Sequence, residues 1–239
     1  MVSEKLFITF EFQKPDEDTC GAVSIVNVLK NLEIEASLQS ILEKLAISPM
    51  DKTHAPQLAV CLNQFHLDIV VVSSNPFVTP ADWKGLSSNQ VAPRLEQRVK
   101  LLKNGQDSPS TTETSGEVAF LKNSEFLLQY LQSGGELEVA PITQNLIDRF
   151  LDQGYLLIAG CTDSELWGKL KIPHSLEFDD IRGRAGGHFV VVFGKDNDGK
   201  HLISDPYPTG ISESGNYPID GDTLISSLYW ALQIVAVRK

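Results

Sequence analysis

A cysteine at the head of a helix is the feature of this sequence best placed to do chemistry. Cys20 follows a polar loop, residues 13–19, and opens the run GAVSIVNVL. A thiol there faces unpaired backbone N–H groups and the positive end of the helix dipole, which favour the nucleophilic thiolate. Gly21 beside it leaves room for a substrate to approach the sulfur. The alternative is an inert cysteine packed as a small hydrophobe. His188 opens the apolar run HFVVVF directly after Gly186 and Gly187, a pair that implies something packed close to the backbone. Asp205 closes the following run, just before Pro206.

Whether His188 and Asp205 meet depends on the hairpin between them. KDNDGK, residues 195–200, contains the Asp-Gly pair of a tight turn. An even-numbered turn sets 188 opposite 207, so that Asp205 lies on the same face as His188 as a diagonal neighbour. An odd-numbered turn sets them on opposite faces unless a bulge intervenes.

The elements around these residues follow from periodicity. KLFITFEF (5–12) alternates and reads as a strand. Helices are expected over 20–32, from the cap Ser37 to 47, from 53 or 55 to 65, over 89–103, over 119–131, and from the cap Thr143 to 152. LDIVVV (67–72), YLLIA (155–159) and HFVVVF (188–193) read as buried strands. A return strand over 201–204, a helix over 220–230 and a closing strand over 232–237 complete the chain. Helices come first and an antiparallel sheet late, which is α+β. Residues 104–117 read as a polar, mobile surface loop. Residues 160–187 form a long aperiodic stretch, which is expected to wall the site and to govern specificity.

In the order Cys20-Gly21, then GGHFVVVFG, then SDPYP, the chain resembles the papain-like cysteine peptidases, and among them the bacteriocin-processing (double-glycine leader) peptidase family. The resemblance covers about 9–32 and 155–208. It implies one papain-like domain over 1–239, with the nucleophile helix packed on a C-terminal antiparallel sheet. Residues 73–153 have no counterpart in the family and would be an insertion. It further implies a peptide or amide substrate and an acyl-thioester intermediate. Cys20 would be the nucleophile, His188 the general base and Asp205 the group that orients the imidazole. The oxyanion would be held by the Cys20 N–H and by Gln13. The family places that glutamine six residues before the cysteine; Gln13 lies seven before, so the loop must absorb one residue. Asp16, Glu17 and Asp18 are expected to face solvent. The competing reading is a non-catalytic binding domain that keeps the fold.

Composition limits the partners. The 239 residues carry 31 acidic and 20 basic side chains, a formal charge of −11, which disfavours nucleic acid and anionic membrane surfaces. Three cysteines without a CxxC pair speak against a disulfide framework and a structural zinc site. Cys61 and Cys161 read as core. The DNDG run lacks the spacing of a calcium loop. No cofactor, metal or membrane partner is expected, and the N-terminal run, lacking an export signal, reads as cytoplasmic.

Overall fold

A computed structural model describes residues 7–104, 115–209, 211–228 and 232–239. Among these, a seven-stranded mixed sheet and eight α-helices give an α+β architecture. The strands are β1 (Asp68–Ser73), β2 (Glu136–Val139), β3 (Leu156–Thr162), β4 (Gly187–Lys195), β5 (His201–Ser204), β6 (Asn216–Ile219) and β7 (Gln233–Arg238). Their spatial order is β2-β1-β7-β3-β4-β5-β6, and β1 pairs with β2 in parallel while the other neighbours are antiparallel. The expectation of a purely antiparallel, late sheet is therefore corrected: β1 and β2 come from the first two-thirds of the chain and extend its far edge.

The helices are α1 (Cys20–Asn31), α2 (Leu38–Leu45), α3 (Ala55–Asn63), α4 (Ser88–Lys103), α5 (Ser115–Gln132), α6 (Gln144–Asp152), α7 (Asp163–Trp167) and α8 (Gly221–Ser227). They cover both faces of the sheet. Phe189, Val191, Ile158, Val71 and Val235 face the core shared with α1, α2, α3, α4 and α5. Val190, Val192, Leu157, Val72 and Ile234 face the second core, with α6, α7 and α8. A strand buried on both faces must be apolar at every position, which is why these segments read as unbroken runs. Nine consecutive residues of α1, Gly21–Leu29, are buried, so it is apolar nearly all round.

Gly21 serves this packing. A Cβ there would stand 2.5 Å from Thr53 Oγ1 and 3.3 Å from the Phe189 ring. The glycine lets α1 sit close against β4 and the start of α3; that space is filled by protein, not by an approaching substrate.

Two expectations along the chain change. The run 7–12 is extended but joins no strand ladder. Its backbone is strapped instead by side-chain amides: Asn27 Oδ1 accepts from the N–H of Phe10 and of Glu11, Asn31 Oδ1 accepts from Ile8, and Asn216 Nδ2 donates to Phe7 O. Residues 1–6 lie outside the described residues, as do 105–114, which hold most of the expected surface loop. No helix among the described residues is long and apolar enough to cross a membrane.

Candidate active site

The turn between β4 and β5 has five residues, 196–200, flanked by the pair Lys195–His201. This odd length would by itself put His188 and Asp205 on opposite faces. A bulge at Phe193 shifts the register, so that Val191 pairs with Ser204. Continued to the end of the strand, that register sets 188 opposite 207 and returns Asp205 to the face of His188. The two irregularities cancel.

His188 Nε2 donates to Asp205 Oδ1 at 2.8 Å, with the imidazole 5 % exposed and the carboxylate fully buried. Asp205 is saturated. Its Oδ1 also accepts from the Tyr207 N–H at 2.8 Å, and its Oδ2 accepts from Trp167 Nε1 and from the Tyr217 hydroxyl, each at 2.8 Å. Charge-assisted hydrogen bonds of this kind are worth about 1.5–3 kcal/mol each, and such a set repays a buried carboxylate for its lost hydration. Burial works against ionisation of Asp205, yet His188 and these donors hold its pKa below the ordinary value. Burial likewise works against a charged imidazole, but the attraction and hydrogen bond of Asp205, aided by Cys20, push the His188 pKa upward. Both shifts favour an ionised pair.

Cys20 lies near enough to His188 to add to the upward push on the imidazole. With Nε2 committed to Asp205, Nδ1 is the ring nitrogen left to serve the thiol. Cys20 itself is half-buried, packed at the edge of the first core. The site thus lies at the end of β4, where a thiol from one helical layer comes near a histidine, aspartate and tryptophan from the other.

The head of α1 is left without a side-chain cap. Thr19 occupies the capping position but its side chain makes no capping bond, and its buried Oγ1 has no partner. The first-turn N–H groups, that of Cys20 among them, remain available to an anion.

Gln13 is buried, its N–H donating at 2.8 Å to the carbonyl of Pro206, the residue after Asp205. Residues 14–17 form a turn, in which Glu17 N–H meets Lys14 O and the exposed Lys14 ammonium pairs with the Glu17 carboxylate at 2.7 Å. The Gln13 amide is partly engaged: Nε2 donates to Glu17 O at 2.9 Å, while its buried Oε1 has no partner. Of the three acids, Asp16 is exposed but Glu17 and Asp18 are half-buried, so the expectation that all three face solvent is corrected.

The aperiodic stretch 160–187 packs against His188, and its Trp167, a residue the sequence leaves open as a packed tryptophan or a substrate wall, is packed. Trp167 ends α7, with its ring 5.3 Å from the His188 imidazole and 5.5 Å from the Tyr207 ring, measured between centroids. It shields the His188–Asp205 pair while bonding to it. Asp163, at the head of α7, accepts from the Gly186 N–H at 2.7 Å and returns its own N–H to Gly186 O. A Cβ at Gly186 would stand 3.0 Å from that carboxylate, which is the close approach the two glycines implied. A depression of about 680 Å³ is formed by this stretch itself, lined by Ser164, Glu165, Lys169, Phe178 and Asp179, and includes neither Cys20 nor His188.

The other cysteines differ in kind. Cys61 is buried in α3, where burial pushes its thiol up to about 11. Cys161 is buried in β3, donates to His188 O at 3.5 Å, and is held well above the ordinary thiol range, chiefly by burial. No cluster of three or more potential metal ligands occurs among the described residues. No protein-family model matches the chain, and no curated protein matches it.

Proposed function

We propose that the chain is a cysteine peptidase or related thiol amide hydrolase of papain-like architecture. One observation carries the reading. An imidazole is fixed through Nε2 by a buried, saturated carboxylate, and a thiol at an uncapped helix head lies near enough to raise its pKa. A helix headed by the nucleophile, packed against antiparallel strands that bring first the histidine and then the aspartate, is the arrangement the papain-like resemblance implies.

In the reaction, the proton of the Cys20 thiol rests on His188 and the sulfur bonds to the substrate carbonyl carbon. The oxyanion is met by the Cys20 N–H, and by Gln13 once its amide turns from Glu17. His188 then protonates the departing nitrogen as the C–N bond breaks, leaving a thioester. Water, deprotonated by His188, hydrolyses it and restores the thiol. Asp205 stays ionised and holds the imidazole. The substrate is a peptide or another amide, and the setting is cytoplasmic. A second reading, a non-catalytic peptide-binding domain, rests on the engaged Gln13 amide.

Alkylation separates the two. At pH 6, iodoacetamide followed by peptide mapping is expected to label Cys20 at least tenfold faster than Cys61 or Cys161. A mixed peptide pool is expected to be turned over by the wild type and not by Cys20→Ala. Labelling of Cys20 no faster than of the two buried thiols would remove the catalytic reading. Fast labelling without turnover of any peptide pool would favour the binding domain.

A further inference from the structure

Lys171 lies between α7 and β4, where backbone bridges join it to Phe178 and Arg184. Its ammonium stands 4.0 Å from the centre of the Tyr207 ring and 6.0 Å from that of Trp167. Those rings pack on the His188 imidazole, at 6.3 and 5.3 Å between centroids. The carboxylates of Asp163, Asp18 and Asp205 act on the ammonium and favour its charge. The cation therefore belongs to the wall of the same site.

Those carboxylates act on it only through space. Asp205 is filled by four donors, and Asp163 Oδ1 is taken by the N–H groups of Ser164 and Gly186. Among the described residues no ion pair reaches the Lys171 ammonium. Half-burial disfavours its charge and lowers its pKa. Aromatic faces stabilise such a cation less than a bonded carboxylate would. An arriving carboxylate would complete the site.

The side of the scissile bond follows from the chemistry. His188 must deliver its proton to the departing nitrogen, so the leaving half of the substrate lies beside the imidazole. Lys171 rests on the rings that pack on that imidazole. The geometry points to Lys171 as the subsite for a carboxylate on the leaving half of the substrate. The substrate class is then an amide whose departing amine carries a free carboxylate, such as a C-terminal amino acid. This inference rests on the thiol chemistry proposed above.

Two probes test it, the first independent of the natural substrate. Iodoacetate carries a carboxylate and iodoacetamide does not. The ratio of their alkylation rates at Cys20 is expected to fall about tenfold in Lys171→Met and to be retained in Lys171→Arg; a bonded charge pair is worth about that factor. A ratio within twofold of wild type in folded Lys171→Met would overturn the subsite while leaving the Cys20 chemistry standing. Failure of Cys20 to outreact Cys61 with either reagent would overturn both readings. The second probe is a tetrapeptide pool with free C-termini and the same pool amidated. The wild type is expected to release the C-terminal residue at least tenfold faster from the free pool, and Lys171→Met to lose that preference. Equal turnover, turnover of neither pool, or a preference for carboxylates on the acyl side would overturn the assignment to the leaving half.

Discussion

A histidine–aspartate pair stands at each end of the β4–β5 hairpin, and only one of them lies near a thiol at a helix head. His188 and Asp205 occupy the open end, His201 and Asp148 the turn end. In both, Nε2 meets a carboxylate oxygen, at 2.8 and 2.9 Å, and both imidazoles are buried. The carboxylates differ. Asp205 is fully buried and receives four donors, whereas Asp148 on α6 is 28 % exposed and shares its second oxygen with the Lys195 ammonium. The surroundings differ more: Cys20 lies near enough to His188 to raise its pKa, while His201 Nδ1 is buried without a partner. A short histidine–carboxylate contact thus occurs at both ends of the hairpin and does not by itself single out the proposed site. What sets His188 apart is a thiol close by and a carboxylate whose every lone pair is occupied.

The largest contrast is expected from removing each imidazole. His188→Ala should lower peptide turnover by about 10³–10⁴, since the base and proton donor are lost together. His201→Ala should leave turnover within twofold in the folded protein and instead shift the denaturant midpoint, as a buried side chain is truncated. Equal losses of turnover in the two variants would break the comparison.

Titration sharpens it further. His188 holds its proton more tightly folded than unfolded, where its pKa is near 6.5. Its contribution to stability is therefore complete below about pH 6.5 and is lost as the pH rises toward the raised folded value. Urea unfolding is expected to show stability falling between pH 7 and pH 9 by up to about 1.4 kcal/mol per unit. Asp205 acts in the opposite sense: its lowered pKa adds stability that disappears as the pH falls below about 4. His188→Gln should flatten the alkaline slope and His201→Ala should leave it. Persistence of the slope in His188→Gln would assign it elsewhere.

The smallest effect distinguishes the two carboxylates. Trp167→Phe keeps a ring against His188 but deletes one donor to Asp205, and should cost about 1–2 kcal/mol in stability and roughly tenfold in turnover. Lys195→Met deletes the matching donor of Asp148, an ammonium 37 % exposed, and should cost no more than about 0.5 kcal/mol. If the two variants destabilise equally, saturation is not what separates the sites.

Much of this was legible in the sequence, for physical reasons. Cys20 and α1, the strand after Gly187 and the stop at Asp205-Pro206 all carry local signals of capping, apolar runs and chain-breaking. The supports of Asp205 carry none. Trp167 stands 38 positions away, at the end of a five-residue helix hidden in an aperiodic stretch. Tyr217 lies in β6, a four-residue strand containing Pro218, a composition that argues against a strand unless it is an edge. Lys171 becomes visible only when the Tyr207 ring is placed beneath it. The run 7–12 alternates as a strand should, but three asparagines supply the hydrogen bonds that a neighbouring strand would have given.

The bulge at Phe193 gives the hairpin something like a parity check. Strand side chains alternate, so any change of one residue between His188 and Asp205 turns the pair apart, and any two such changes restore it. The hairpin already holds one such compensated pair, an odd turn and a bulge. A hairpin with a four-residue turn and no bulge would satisfy the same check with fewer residues. The spacing between this histidine and aspartate is accordingly free to drift by twos without loss of the contact. A search that demands one fixed interval would overlook chains that carry the same site.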